Sequence, residues 1–343
     1  MSDIKDSVNN EKSAQLGKKS LLSNMGSRIL DFWGSYSYIV IFIAIFILFV
    51  FVSKNLTWAS VMLMLRQSAV IGIIGFGIAM VILVGDIDLS VGSGLVFISG
   101  LLVLIFNATG SIFVTLIGSL GLGLAVGFVN GILVGIAQMP PFIVTLATML
   151  IYRSISLYII NSRLYELDPN IPAFVMYHYQ FGNSSFLTVP IVGIVFLLVA
   201  GAFIYMCTST KFGKKIYALG GNARAAKIAG INTVNLKVAL FAICGLMVGF
   251  ASFVNVAMNR NISPATTGMS FEMYAIAGVV LGGISMSGGK GHVAGIIFGT
   301  ISFTLVSRII DAFELSTTVN NSVKGLILLL AIALQMIRKR TKE

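Results

Sequence analysis

The sequence predicts an all-α fold, a polytopic bundle of about ten transmembrane helices. Three observations carry that expectation: an apolar composition, a ladder of long apolar runs, and cations gathered at particular breaks between them. Of the 343 residues, 57% are hydrophobic and 10% charged, and the mean hydropathy is +0.97. A soluble domain carries roughly 25% charged residues and could not hide so much apolar surface. A bilayer can, because its core of about 30 Å accepts helices of about 20 apolar residues whose backbone groups bond internally.

The apolar runs give candidate spans near 37–53, 61–84, 89–106, 112–137, 142–160, 188–207, 238–258, 272–286, 293–310 and 323–337. Glycine-rich breaks adjoin several of them, so the stretches 61–106 and 272–310 are places for broken or re-entrant helices. The chain then divides into a polar tail over 1–37, a transmembrane domain over 38–337 with a long loop at 208–237, and a basic tail at 338–343. The first 37 residues mix both charge signs and lack a short apolar core with a cleavage site, which reads as an uncleaved cytoplasmic tail.

Ten crossings from a cytoplasmic N-terminus place 208–237 and the C-terminus inside as well. The first of these carries Lys211, Lys214, Lys215, Arg224, Lys227 and Lys237, and no acid lies between Asp168 and Glu272. The segment 161–187, placed outside, has Arg163 against Glu166 and Asp168. That asymmetry is the positive-inside bias. It accounts for the net charge of +11 without nucleic acid, and the expected arrangement is multi-pass with both termini inside. Cys207 and Cys244 sit far apart in apolar runs and read as small hydrophobes; with His178 and His292 they make no metal spacing.

One internal echo stands out: residues 78–85, IAMVILVG, resemble residues 276–283, IAGVVLGG, and each is followed by a Ser/Gly-rich stretch. Apolar strings match easily by chance. A true repeat would mean two pseudo-equivalent halves with a substrate path at their interface.

Asp86, Asp88 and Ser90 lie between two long apolar runs. Carboxylates there require a watery cavity or a polar partner, or else a short loop in which Asp88 or Ser90 caps the following helix; the two readings are compatible. Glu272 and Tyr274 open another apolar run. Each is either a path-lining group or, respectively, an acid favoured by a helix N-terminus and an interface aromatic. Arg153, Asn130 and Gln138 are read as helix-to-helix hydrogen-bonding or snorkelling residues. The stretch Ser287 to His292 lacks the spacing of a phosphate-binding loop and reads as a tight turn, so any nucleotide must bind another chain.

The most informative segment spans Gly220, Gly221, Asn222, Arg224, Ala225, Ala226, Lys227 and Gly230. Asn222 is a good N-cap and Gly230 suits a left-handed C-terminal position, which predicts a two-turn cytoplasmic helix over 222–230. Its alternatives are a partner-docking element and an interfacial helix on anionic lipid.

Taken in order, Asp88-Leu89-Ser90-Val91-Gly92, Tyr217-Ala218-Leu219-Gly220-Gly221-Asn222 with Ala225-Ala226 and Gly230-Ile231, and Leu281-Gly282-Gly283 running to Ser287-Gly288-Gly289-Lys290-Gly291 resemble the permeases of monosaccharide ABC importers of the ribose, xylose, arabinose and galactose type. The resemblance covers about residues 60–335. It implies a permease paired with a second copy or a paralogue, an extracytoplasmic sugar-binding protein, and a separate ABC ATPase subunit that holds ATP and Mg, this chain binding no cofactor. It also implies that 220–230 is the coupling helix and that Asp86, Asp88, Ser90, Glu272 and Tyr274 belong to the substrate path. Asp86 departs from an uncharged residue common in the family, and Tyr274 from an aspartate. Both departures bear on the substrate, for which a nucleoside or a furanosyl signal is the nearest rival to a sugar. An ion-coupled transporter would explain intramembrane carboxylates but not the capped cytoplasmic helix. A channel or a membrane enzyme lacks its selectivity ring or its nucleophile.

Overall fold

The computed structural model describes residues 38–53, 56–159 and 165–313, with scattered positions from 322 to 329. The span expected at 323–337 and both polar tails lie outside the described residues or only touch them. The apolar runs fold as helices α1 (Tyr38–Val52), α2 (Trp58–Leu83), α3 (Val91–Thr109), α4 (Ile112–Gly131), α5 (Pro141–Ile159) and α6 (Ile191–Ser209). They are followed by α7 (Lys211–Gly221), α8 (Ala223–Ile228), α9 (Thr233–Asn259), α10 (Phe271–Leu281) and α11 (Gly295–Ala312). Among the described residues, 7 helices are long and apolar enough to cross a membrane. They are α2, α3, α5, α6, α9, α11 and α4 together with its π-helical continuation through Ile136. α10, with 11 residues, rises only about 16 Å, so the run at 272–286 is a half-helix followed by an irregular return, as its glycines foreshadowed. Likewise the run at 61–106 is broken by a non-helical stretch at 84–90.

The core is built around α2, α3 and α9. From Ser68 to Leu83 nearly every α2 residue is buried, which no lipid-facing helix would be. α4 lies against α9 backbone to backbone. A Cβ on Gly127 would strike the Phe241 carbonyl and the Gly245 backbone, and one on Gly249 would strike the Ser119 carbonyl. Small residues permit this approach in helices that gain nothing from hiding apolar surface in lipid. Phe113, Phe128, Leu150 and Leu198 on α4, α5 and α6 face outward, as an apolar periphery requires. At the end of the bundle remote from α7 and α8, β1 (Tyr165–Glu166) pairs antiparallel with β4 (Asn261–Ile262), and β2 (Ser185–Phe186) with β3 (Val189–Pro190).

The sequence echo has a structural counterpart. α2 ends with Gly85 N–H bonded to the Ile82 carbonyl at 2.9 Å and Asp86 N–H to the Val81 carbonyl at 3.1 Å. α10 ends with Gly283 N–H on Val280 at 2.9 Å and Ile284 N–H on Val279 at 3.2 Å. The glycines sit at φ +85° and +86°, a left-handed turn that glycine adopts without the steric cost of a side chain. The two stretches share one helix-ending device at matching positions.

Candidate functional site

Two regions hold the residues singled out above, and they meet at the end of α2. Beyond Gly85 the chain runs extended beside α9 until α3 begins at Val91. Asp86 meets Lys237, whose Nζ lies 2.9 Å from Oδ1 and 2.7 Å from Oδ2. Asp88 comes beside Cys244, seven residues further along α9 and therefore about 10 Å deeper. Its Oδ1 accepts the Ser90 N–H at 2.9 Å and the Ser90 hydroxyl at 2.6 Å. Asn130 Nδ2 of α4 donates to the Ser90 hydroxyl at 2.9 Å. Asp88 and Ser90 are each 2% exposed and Asn130 0%. The carboxylate lies in a polar knot at the entry to α3, whose N-cap Ser90 makes no side-chain cap bond, so the geometry carries the polar-partner reading of Asp88 and not the helix cap. Neither Asp88 nor Ser90 faces open water.

Glu272 stands in the first turn of α10, against the start of α3. A Cβ on Gly92 would collide with its carboxylate and with the Gly268 carbonyl. Arg153 of α5 donates to the Pro264 carbonyl at 3.0 Å and the Thr267 carbonyl at 2.9 Å, fixing the turn from which α10 starts. Tyr274, two residues further on and therefore on another face of α10, leaves this contact and packs its ring on Phe303 of α11, centroids 5.1 Å apart. Thus the structure joins Asp88 to Ser90 and Glu272 to Gly92, but places Asp86 with Lys237 and Tyr274 in a separate cleft.

At the loop, Asn222 ends α7 and caps α8, its Oδ1 accepting the Ala225 N–H at 3.0 Å. Gly230 takes φ +79°, as a left-handed C-terminal position demands. Arg224, Ala225 and Lys227 are exposed, but Ala226 is not: only 3% of it is accessible, and it faces the bundle. Of the two alanines, Ala225 alone presents a small outer surface. The outward apolar residue is Ile228, 89% exposed, which sequence reasoning missed.

α7 carries this ledge on the rest of the molecule. It buries Gly213, Ile216 and Leu219. Tyr217 donates its hydroxyl to the Gly291 carbonyl at 2.9 Å, and burial, with Cys207 adding, pushes the phenol up to about 12. Gly220 lies on the Leu83 carbonyl and the Gly289 N–H, where any Cβ would collide, and Gly289 N–H itself bonds Leu83 at 2.8 Å. The stretch Ser287 to Gly291 is a tight turn, with Gly288, Gly289 and Gly291 all at positive φ. Gly220 is thus a close backbone contact between α7 and the bundle, whereas a Cβ on Gly221 would meet nothing within 4 Å.

Missed functional candidates are Lys237, read only as one of the cytoplasmic cations, and Gln67 and Arg308, polar groups inside apolar runs. Ionisable residues at such depth are rare and usually functional. That signal alone would have found Arg308.

The family model described as branched-chain amino acid transport system / permease component matches residues 60–332. The chain is 34% identical over 300 residues to the ribose import permease protein RbsC of Bacillus subtilis (strain 168), covering 85% of this chain and 91% of the relative. It is 32% identical over 307 residues to the D-allose transport system permease protein AlsC of Escherichia coli (strain K12), covering 88% and 92%. To the autoinducer 2 import system permease protein LsrC of Salmonella typhi it is 32% identical over 291 residues, covering 84% and 82%. No solved structure matches the chain. On the family match and these relatives, the chain belongs to the branched-chain amino acid transport system / permease component family.

Proposed function

We propose that this chain is the membrane-spanning permease subunit of an ATP-driven importer that carries a monosaccharide across a bacterial cytoplasmic membrane. The single observation that carries the reading is the ledge of α7 and α8. A short capped helix turns Arg224, Ala225, Lys227 and Ile228 outward, while Gly220 rests by backbone contact on Leu83 and Gly289. A docking partner that tilts α8 therefore moves the ends of two helix breaks at once. Those breaks lead to Asp88 and Ser90 on one side and to α10 on the other.

In this reading the ledge, both termini and Lys237 face the cytoplasm, and a separate ABC ATPase subunit binds ATP and Mg there. An extracytoplasmic sugar-binding protein delivers to the opposite end, and a second permease copy or a paralogue completes the pathway. Relatives named for ribose and allose import support a sugar, and one named for autoinducer 2 makes a furanosyl signal its natural competitor.

The test is uptake into proteoliposomes holding the chain with an ABC ATPase and a sugar-binding protein. Radiolabelled ribose or allose entering only with ATP, and slowed by excess autoinducer 2 if the site is shared, is the expected result. Uptake by the chain alone, driven by a proton or sodium gradient, would replace this reading with secondary transport.

A further inference from the structure

At the end of the bundle remote from α8 lies a cavity of about 270 Å³ between α2, α10 and α11. Its place follows from helix geometry. Gln67 precedes Leu83 by sixteen residues of α2, about 24 Å along the axis from the contact with Gly220. Its lining is of two kinds. Phe271 and Tyr274 of α10 form one wall, with ring centroids 6.2 Å apart. Gln67, Ser307, Arg308 and Asp311 supply the other. Arg308 donates its Nε to Gln67 Oε1 at 2.8 Å, so the guanidinium plane is held in a fixed direction. Asp311, three residues on, shares its helix face.

We propose that this cavity is a sugar-binding station on the transport path, and that it takes one monosaccharide ring. The inference deepens the importer reading and rests on it. A pyranose or furanose has an apolar face of C–H bonds and a rim of hydroxyls that both donate and accept. The aromatic wall matches the first, and a guanidinium donor, a carboxylate acceptor and an amide match the second. The volume sits just under the roughly 300 Å³ at which small-molecule pockets begin, which suits one ring. The carboxylate and guanidinium stand together, so the site favours a neutral ligand over an anion.

Two measurements on the assembled importer test this. Asp311 is exposed, so Asp311→Asn removes the charge while keeping the size of the side chain. It should lower sugar uptake about tenfold, the worth of one hydrogen bond to a charged group, with ATPase stimulation by the sugar-loaded binding protein held within about twofold. Ser307→Cys, in a chain whose own Cys207 and Cys244 are buried, should react with a membrane-impermeant thiol reagent, and millimolar ribose or allose should slow that reaction. Unchanged uptake in Asp311→Asn, or no sugar protection of Ser307→Cys while unmodified importer transports the sugar, would overturn the station and leave the importer standing. Failure of the unmodified assembly to take up any sugar would overturn both.

Discussion

Two helix ends in this protein are closed by the same device and then put to different use. α2 and α10 each finish on a left-handed glycine with paired backbone bonds at matching positions. After the first, Asp86 reaches Lys237 and the chain climbs extended toward Asp88 and α3. After the second, Ile284 stands where Asp86 would, and the chain folds into a glycine turn that receives Tyr217 and Gly220 from α7. The difference teaches that the helix break itself is the shared part. The first end carries an ion pair, Asp86 with Lys237, the second leads into a glycine turn beneath α7, and Gly220 touches the backbone of both.

The largest expected effect comes from wedging the place where both copies meet α7. Gly220→Val puts a branched side chain against the Leu83 carbonyl and the Gly289 N–H, which are backbone and cannot swing aside. Overpacking of this kind costs about 1–3 kcal/mol or more, and ATP-driven uptake should vanish while chain still reaches the membrane. Measured uptake near normal at equal membrane abundance would mean that the ledge and the helix ends are not mechanically joined.

Next is the ion pair that only the first copy has. Lys237 is 28% exposed and Asp86 9% by side chain, so breaking it falls between surface and buried pairs, about 1–3 kcal/mol. Lys237→Met should lower thermal stability in detergent by that amount. The double change Asp86→Ile with Lys237→Met, which imitates the second copy, should recover part of the loss. Equal loss in single and double variants would show that the charges act separately.

The smallest effect sharpens the comparison itself. Gly85→Ala and Gly283→Ala each have room for a methyl group, with nearest atoms at 3.9 Å and 3.6 Å, so only the left-handed backbone resists, at roughly 1–2 kcal/mol. Thermal unfolding should report similar losses for both. A marked disparity would break the structural equivalence of the two ends.

Much of this arrangement was legible in the residues. Apolar runs located the helices, glycines located both breaks, and Asn222 and Gly230 located α8, because each of those signals is local. The partners were not legible. Lys237 looked like one more cytoplasmic cation, since nothing local says that it folds back onto Asp86. Ala226 turned inward because a helix of 6 residues has too few turns for a pattern to fix its rotation. Asp88 was recognisable as needing a polar setting, yet Asn130 and Cys244 reach it from distant helices, and only the tertiary fold brings them together.

In the proposed importer, force from a separate ATPase enters through α8. Ile228→Glu replaces its outward apolar residue without touching the bundle, as 89% of Ile228 is exposed. Co-purification of the ATPase with this variant and with unmodified chain, at matched membrane abundance, is the direct measurement. The account predicts that the variant loses the ATPase and with it sugar uptake, while its own thermal stability stays unchanged. Undiminished co-purification with normal uptake would contradict the account and place α8 on the lipid surface instead.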